Sequence, residues 1–182
     1  MPRWIPNFFT LTRLLLVPVI IRAILTRHAT EALVLFLCAA VTDVLDGASA
    51  RSFHLTSQTG AYLDPLADKA LLSGVFLALA AAREVPWWLV IVIFGRDVYL
   101  LLAVGVLVWF TTRRKFPPSS WGKASTFVQI ATAVTWMTRD VMPVSALDSI
   151  CSAMLWPCAA FTIWSGVHYT WRGIRWGARI DG

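Results

Sequence analysis

Charged side chains are scarce here. Only 14% of the 182 residues are Asp, Glu, Lys or Arg, against about 25% in soluble domains. With 58% of the chain hydrophobic, one soluble core of this size could not hide the apolar surface. Cysteine is equally sparse: Cys38, Cys151 and Cys158 lie in apolar stretches without metal-ligand spacing, so they read as small buried hydrophobes. No P-loop, dinucleotide fingerprint or nucleophilic Ser–His arrangement is present, and His28, His54 and His168 are scattered. No low-complexity tract, linker or convincing internal repeat breaks the chain. The first apolar run has no small-residue cleavage site and is followed by Arg22 and Arg27, so it is not expected to be a signal peptide.

What the chain does have is apolar length. Six segments, roughly 8–26, 30–51, 58–82, 85–111, 120–138 and 145–171, are separated by short polar joints. Each comes near or above the ~20 residues that a spanning helix needs. Ten tryptophans suit the membrane interface. The expectation is an all-α integral membrane protein, residues 1–182 forming one domain. The net charge of +6 fits an anionic membrane surface better than nucleic acid, because the basic groups Arg113, Arg114, Lys115 and Arg172, Arg175, Arg179 directly follow apolar segments. With six spans and the N-terminus inside, nine Lys or Arg residues fall at inner ends and only Arg27, Arg83 and Arg139 in outer joints. The positive-inside rule then puts the joint between the second and third segments in the cytoplasm.

Several segments carry charges that a hydrocarbon span does not tolerate without a use. Asp43 and Asp46 lie in the second, Asp64, Asp68 and Lys69 in the third, Arg96 and Asp97 in the fourth. On helices, Asp43 and Asp46 share a face, as do Asp64 and Asp68. A short joint makes the two segments antiparallel neighbours, so the four carboxylates are expected to converge near the inner surface. Four hard oxygen donors suit Mg²⁺, Mn²⁺ or Ca²⁺ rather than zinc, and paired divalent ions clamp phosphates during in-line displacement. Gly47 and Gly60 would let a diphosphate approach the backbone or let helices pack closely. Arg51 can grip phosphate oxygens with two hydrogen bonds.

The order D-x2-D-G-x2-A-R-x8-G-x3-D-x3-D over 43–68 resembles, at every fixed position, the signature of the CDP-alcohol phosphatidyltransferases. The opening Ile5-Pro6-Asn7-Phe8-Phe9-Thr10-Leu11-Thr12-Arg13 and the pair Gly122-Lys123 are similar to the glycerophospholipid branch of that family. The resemblance implies six membrane helices around a polar cavity open to the cytoplasm of the inner membrane, often as a homodimer. It also implies two divalent ions, Mg²⁺ or Mn²⁺, on Asp43, Asp46, Asp64 and Asp68, and CDP-diacylglycerol as donor. Gly47, Ala50, Arg51, Ser57 and Gly60, with Asn7 and Thr10 of the opening, would bind the CDP-lipid. Asp68 would be the base that deprotonates the acceptor hydroxyl as CMP leaves.

The same resemblance places acceptor-phosphate cations at Arg96 and Lys123. The opening motif favours a glycerol-containing acceptor, either glycerol-3-phosphate or phosphatidylglycerol. Glycerophosphate-using members usually carry Arg-Glu in the fourth helix with a further Arg two turns on. Here the pair is Arg96-Asp97 with Val104 eight residues later, which is similar to eukaryote-type cardiolipin synthases; the wider distribution of glycerophosphate enzymes favours the former. Asp97 is not expected to hold Arg96, since neighbours at i and i+1 do not face each other on a helix. Intramembrane carboxylates also occur in ion transporters, whose marks are broken helices in repeated halves; these acids instead lie in one stretch with Arg51 among them.

Overall fold

A computed structural model describes the backbone over residues 5–53, 58–110 and 120–177, and side chains over 12–42, 69–103, 105 and 120–172. Among the described residues six helices follow one another: α1 (Ile5–Leu25), α2 (Ala29–Phe53), α3 (Gln58–Ala81), α4 (Trp87–Phe110), α5 (Ser120–Val141) and α6 (Ser145–Gly177). No strand occurs among the described residues. The shortest helix has 21 residues, so at 1.5 Å per residue each matches the ~30 Å hydrocarbon core of a bilayer. Among the described residues one stretch, Ser145–Arg172, is both long and apolar enough to cross a membrane; Ala29–Thr42 and Lys69–Ala81 are shorter apolar helices.

The chain divides into two compact units. Unit 1 is Met1–Val85 with Ala133–Val144, and unit 2 is Pro86–Thr132 with Ser145–Gly182. In unit 1, α1 packs against both α2 and α3. Its core is apolar and tight: Ile20, Phe36, Val75, Phe76 and Leu79 are fully buried. Gly74 lets α3 approach α1, because a Cβ there would lie 3.0 Å from Ile21 Cδ1 and 3.2 Å from Val17 Cγ1. In unit 2, α4 packs on α6, and Leu89, Val90 and Ile93 of α4 are buried. A buried polar seam joins the first half of α5 to α6. Gln129 Nε2 donates to Thr162 Oγ1 at 3.1 Å, and Thr162 Oγ1 donates in turn to the carbonyl of Cys158 at 2.7 Å. Such side-chain hydrogen bonds hold helices together where water and lipid offer little competition. Cys151 and Cys158 are buried as expected, but Cys38 is exposed; the face of α2 that carries it has no described covering element.

The turns after α1 and α3 share an unusual construction. Arg27 N–H donates to the Ile24 carbonyl and His28 N–H to the Ala23 carbonyl; Arg83 N–H donates to the Ala80 carbonyl and Glu84 N–H to the Leu79 carbonyl. Each pair closes a Schellman cap, whose left-handed residue is usually glycine. Here it is arginine both times, with φ of 61° at Arg27 and 62° at Arg83, at a cost of about 1–2 kcal/mol each. At Arg27 the side chain offsets that cost. Its guanidinium donates to one oxygen of Glu84 and to the Ala82 carbonyl, while Arg139 donates to the other Glu84 oxygen at 2.7 Å. Arg139 also lies 5.5 Å from the centre of the Trp136 ring.

Asp140 is left poorly compensated beside this cluster. Burial and the Glu84 charge push its pKa up to about 6, and Arg139 and Arg27 only partly oppose them. Asp140 lies beyond the apolar segment 120–138. An acid whose folded pKa exceeds its ordinary value holds extra protons in the folded state. Stability therefore falls as pH rises from about 4 to about 6 and stays at the lower level above that. Asp140→Asn removes the penalty. Its apparent melting temperature in detergent should exceed that of the wild type at pH 7.5, by the equivalent of roughly 1 kcal/mol after allowing for solvent screening. The gap should narrow as pH falls below about 6 and close near pH 4. An equal or lower melting temperature at pH 7.5 would contradict this reading of the cluster.

Candidate active site

The helix register fixes what can meet. Positions 43, 46, 47, 50 and 51 lie in α2, positions 60, 64 and 68 in α3, and positions 7 and 10 in α1. All belong to unit 1, where α1 packs against both acid-bearing helices. The backbone is helical through all four aspartate positions, so 43 and 46 share one face and 64 and 68 share another. The side chains of Asn7, Thr10, Asp43, Asp46, Gly47, Ala50, Arg51, Gly60, Asp64 and Asp68 lie outside the described residues, as does all of Ser57. The expected convergence of the carboxylates therefore also lies outside them. No group of three or more His, Cys, Asp or Glu side chains that could hold a metal occurs among the described residues. The fit of a divalent ion rests on the donor set: four carboxylates on two consecutive helices of one unit, hard oxygen donors of the kind Mg²⁺ and Mn²⁺ take.

Arg13 enters the sequence reading only as the last residue of the opening motif, yet it is 4% exposed. A buried guanidinium on the helix that packs against both acid-bearing helices is costly unless it meets negative charge. The signal was available in the sequence as a cation within the first apolar segment.

The two acceptor candidates belong to unit 2. Lys123 stands exposed in the first turns of α5, and Arg96 is half-buried in α4. The expectation that Asp97 would not hold Arg96 is overturned. Arg96 Nη1 donates to Asp97 Oδ1 at 2.7 Å, and Nη2 donates to the fully buried Ser165 Oγ at 2.6 Å. The i,i+1 rule concerns where Cβ atoms point; the long, bending arginine stem lets the guanidinium return to its neighbour. Arg96 is therefore aligned by α6 as well as by its own helix. Arg113, Arg114 and Lys115 lie outside the described residues.

Comparison with known proteins accounts for this pattern of acids. The family model described as CDP-alcohol phosphatidyltransferase matches residues 3–164. A Mycobacterium tuberculosis protein named "probable phosphatidylglycerophosphate synthase" is 34% identical over 177 residues, covering 93% of this chain and 81% of that protein. The CMP-forming cardiolipin synthase of Rattus norvegicus is 34% identical over 188 residues, covering 92% of this chain and 62% of that protein. The human protein of the same name is 32% identical with the same coverage. The match takes in all four aspartates, Arg51, Arg96 and Lys123, and with it the chain belongs to the CDP-alcohol phosphatidyltransferase family, whose members are transferases of phospholipid synthesis.

Proposed function

We propose that the protein transfers the phosphatidyl group of CDP-diacylglycerol to a hydroxyl of a glycerol-containing acceptor, releasing CMP. The observation that carries this reading is the complete signature, borne on α2 and α3 of one unit. Helices of at least 21 residues among the described residues support a multi-pass membrane protein; the family resemblance and the distribution of basic residues extend the reading to the inner membrane, a polar cavity facing the cytoplasm, a single functional domain over 1–182 and a homodimer. The acceptor is glycerol-3-phosphate, by the likeness to the mycobacterial relative. Phosphatidylglycerol is the second reading, favoured by Arg96-Asp97 and by the cardiolipin synthases among the relatives.

In the mechanism, Asp43, Asp46, Asp64 and Asp68 would hold two divalent ions, which when bound neutralise the carboxylates and the diphosphate. Arg51 binds the diphosphate, while Gly47, Ala50 and Gly60 leave room for the nucleotide and Ser57, Asn7 and Thr10 flank it. Arg96 and Lys123 orient the acceptor phosphate. Asp68 takes the proton of the acceptor hydroxyl as its oxygen attacks the β-phosphorus; the bond to the CMP oxygen breaks, and CMP departs with that electron pair. A carboxylate can act so when the hydroxyl lies within hydrogen-bond reach.

The test is direct. Purified protein is incubated with CDP-diacylglycerol, Mg²⁺ or Mn²⁺ and each acceptor in turn, and the lipid product is identified. Transfer should cease with excess EDTA and return with either metal. Full turnover in excess chelator would remove the two-ion part of the reading; no transfer to either acceptor by folded protein would remove the activity.

A further inference from the structure

Two contacts fix how α1 and α3 lie against each other in unit 1. Past their C-terminal ends, the Arg27 guanidinium donates to the carbonyl of Ala82, 55 residues on in the chain. Further back, Gly74 faces Val17 and Ile21, and the same interval separates it from the point midway between them. The two helices therefore run side by side in one direction, with equal rise per residue. Carried back along both, that interval sets Arg13 level with position 68. Arg13, Val17 and Ile21 recur at every fourth residue, so Arg13 continues the stripe of α1 turned toward α3. A short joint returns the chain from α1 into α2, alongside and antiparallel. Position 43 lies as far beyond the first residue of α2 as Arg13 lies before Arg27. Both acid-bearing helices thus bring a signature position to the depth of Arg13.

No other acid of the unit is placed to meet this buried cation. Besides the four aspartates, unit 1 contains Glu31, Glu84 and Asp140. Glu31 stands exposed in the first turn of α2. Glu84 is shared by Arg27 and Arg139, and Asp140 lies beside it. Arg13 is about 20 Å along α1 from that end, too far for a side chain to span. The charge balance points the same way. Four carboxylates brought together repel one another whenever no metal is bound. Within 43–69 the sequence supplies Arg51 and Lys69 as cations, and Arg51 is assigned to the diphosphate. A guanidinium keeps its proton even when buried, so Arg13 is a fixed positive charge.

We propose that Arg13 is the resident counter-ion of the acid site, with Asp68 as its first partner. It offsets part of the carboxylate repulsion in the metal-free protein and holds the carboxylates in place for the ions. Arg13 is thus a positioning residue. The assignment deepens the ion-binding role proposed for the four aspartates and rests on it, but not on the donor, the acceptor or the base.

The test uses the full chain in detergent without lipid substrates. Arg13→Met should lower the melting temperature by about 5–10 °C in EDTA, and by much less in saturating Mg²⁺, whose charge takes over the missing one. Arg13→Lys should keep most of the wild-type value in both. Mn²⁺ binding, counted by electron paramagnetic resonance, should tighten about tenfold in Arg13→Met, because a nearby positive charge is gone. Adding Asp68→Asn to Arg13→Met should return the stability lost in EDTA, since it removes the charge left without its partner; adding Asp97→Asn should not. If Arg13→Met alone does not fold, the pair with Asp68→Asn decides: folded protein supports the assignment, and unfolded protein overturns it. Equal losses in EDTA and Mg²⁺ overturn it as well, because a packing role does not depend on metal, as does rescue by Asp97→Asn in place of Asp68→Asn. Should folded wild type bind no Mn²⁺, the two-ion reading fails, and rescue by Asp68→Asn in EDTA still decides whether Arg13 is the counter-ion.

Discussion

Asp43→Asn and Asp68→Asn should both abolish measurable transfer, yet differ in what they still bind. If Asp68 takes the acceptor proton, its amide analogue loses a general base, a deficit of about 10²–10⁴ in kcat. One oxygen donor remains at that position, so CDP-diacylglycerol should still bind, weakened but measurable, in the presence of Mg²⁺. Asp43, assigned only to ion binding, has no proton to move. Its replacement should reduce donor binding together with turnover and raise the Mg²⁺ concentration needed for either. The contrast is read by competing CMP against labelled donor at several Mg²⁺ concentrations, alongside single-turnover rates. Near-wild-type turnover in Asp68→Asn would strip that residue of its assigned role, and identical binding defects in both variants would reduce Asp68 to a fourth ion ligand.

The second large effect is expected at Arg96. Its guanidinium is held at 2.7 Å by Asp97 and at 2.6 Å by Ser165, with the arginine and aspartate side chains 12% and 19% exposed. Such a cation is pre-aligned, so an acceptor phosphate would lose little entropy in meeting it. Removing one partner of a buried, hydrogen-bonded charge costs roughly 2–5 kcal/mol. Arg96→Ala should therefore raise the acceptor KM, lower kcat, or both, by about a hundredfold, and leave the donor KM within a few-fold of wild type because Arg51 serves the nucleotide. The variant also leaves the Asp97 carboxylate without this partner, so a structural effect must be separated from a binding one. Arg96→Ala combined with Asp97→Ala removes both charges. If that pair melts like wild type and still fails with acceptor alone, the defect lies in recognition. Unchanged constants for both substrates in Arg96→Ala would withdraw the assignment.

The six helices were legible because apolar runs of spanning length are separated by short polar joints. The third segment, read as 58–82, is the helix Gln58–Ala81. The acid signature was legible because its spacing is helical and each carboxylate within an apolar segment demands a use. What escaped the sequence is tertiary. Nothing in the local order shows that Glu84 would be shared by Arg27 and Arg139, partners 57 and 55 residues away. Glycine is the usual mark of a left-handed cap, so the turns at Arg27 and Arg83 carry no local signal; at Arg27 the ion pair with Glu84 offsets the backbone cost. Arg13 was read as part of a motif when its burial gives it a separate electrostatic weight. The Arg96–Asp97 pair was dismissed by a rule that follows Cβ directions and neglects the reach of an arginine.

Unit 1 has a chronological consequence. Its last piece, Ala133–Val144, leaves the ribosome only after α4 and the first half of α5. Until then a nascent chain can pair Glu84 with Arg27 but not with Arg139, and Trp136 and Met137, buried in the finished protein, are missing from the unit that carries the aspartates. The boundary between Val85 and Pro86 thus makes a poor place to cut the gene. A fragment ending there would contain every residue of the signature and still lack a buried part of its own core, whereas one extended through Val144 would contain the full residue set of that unit.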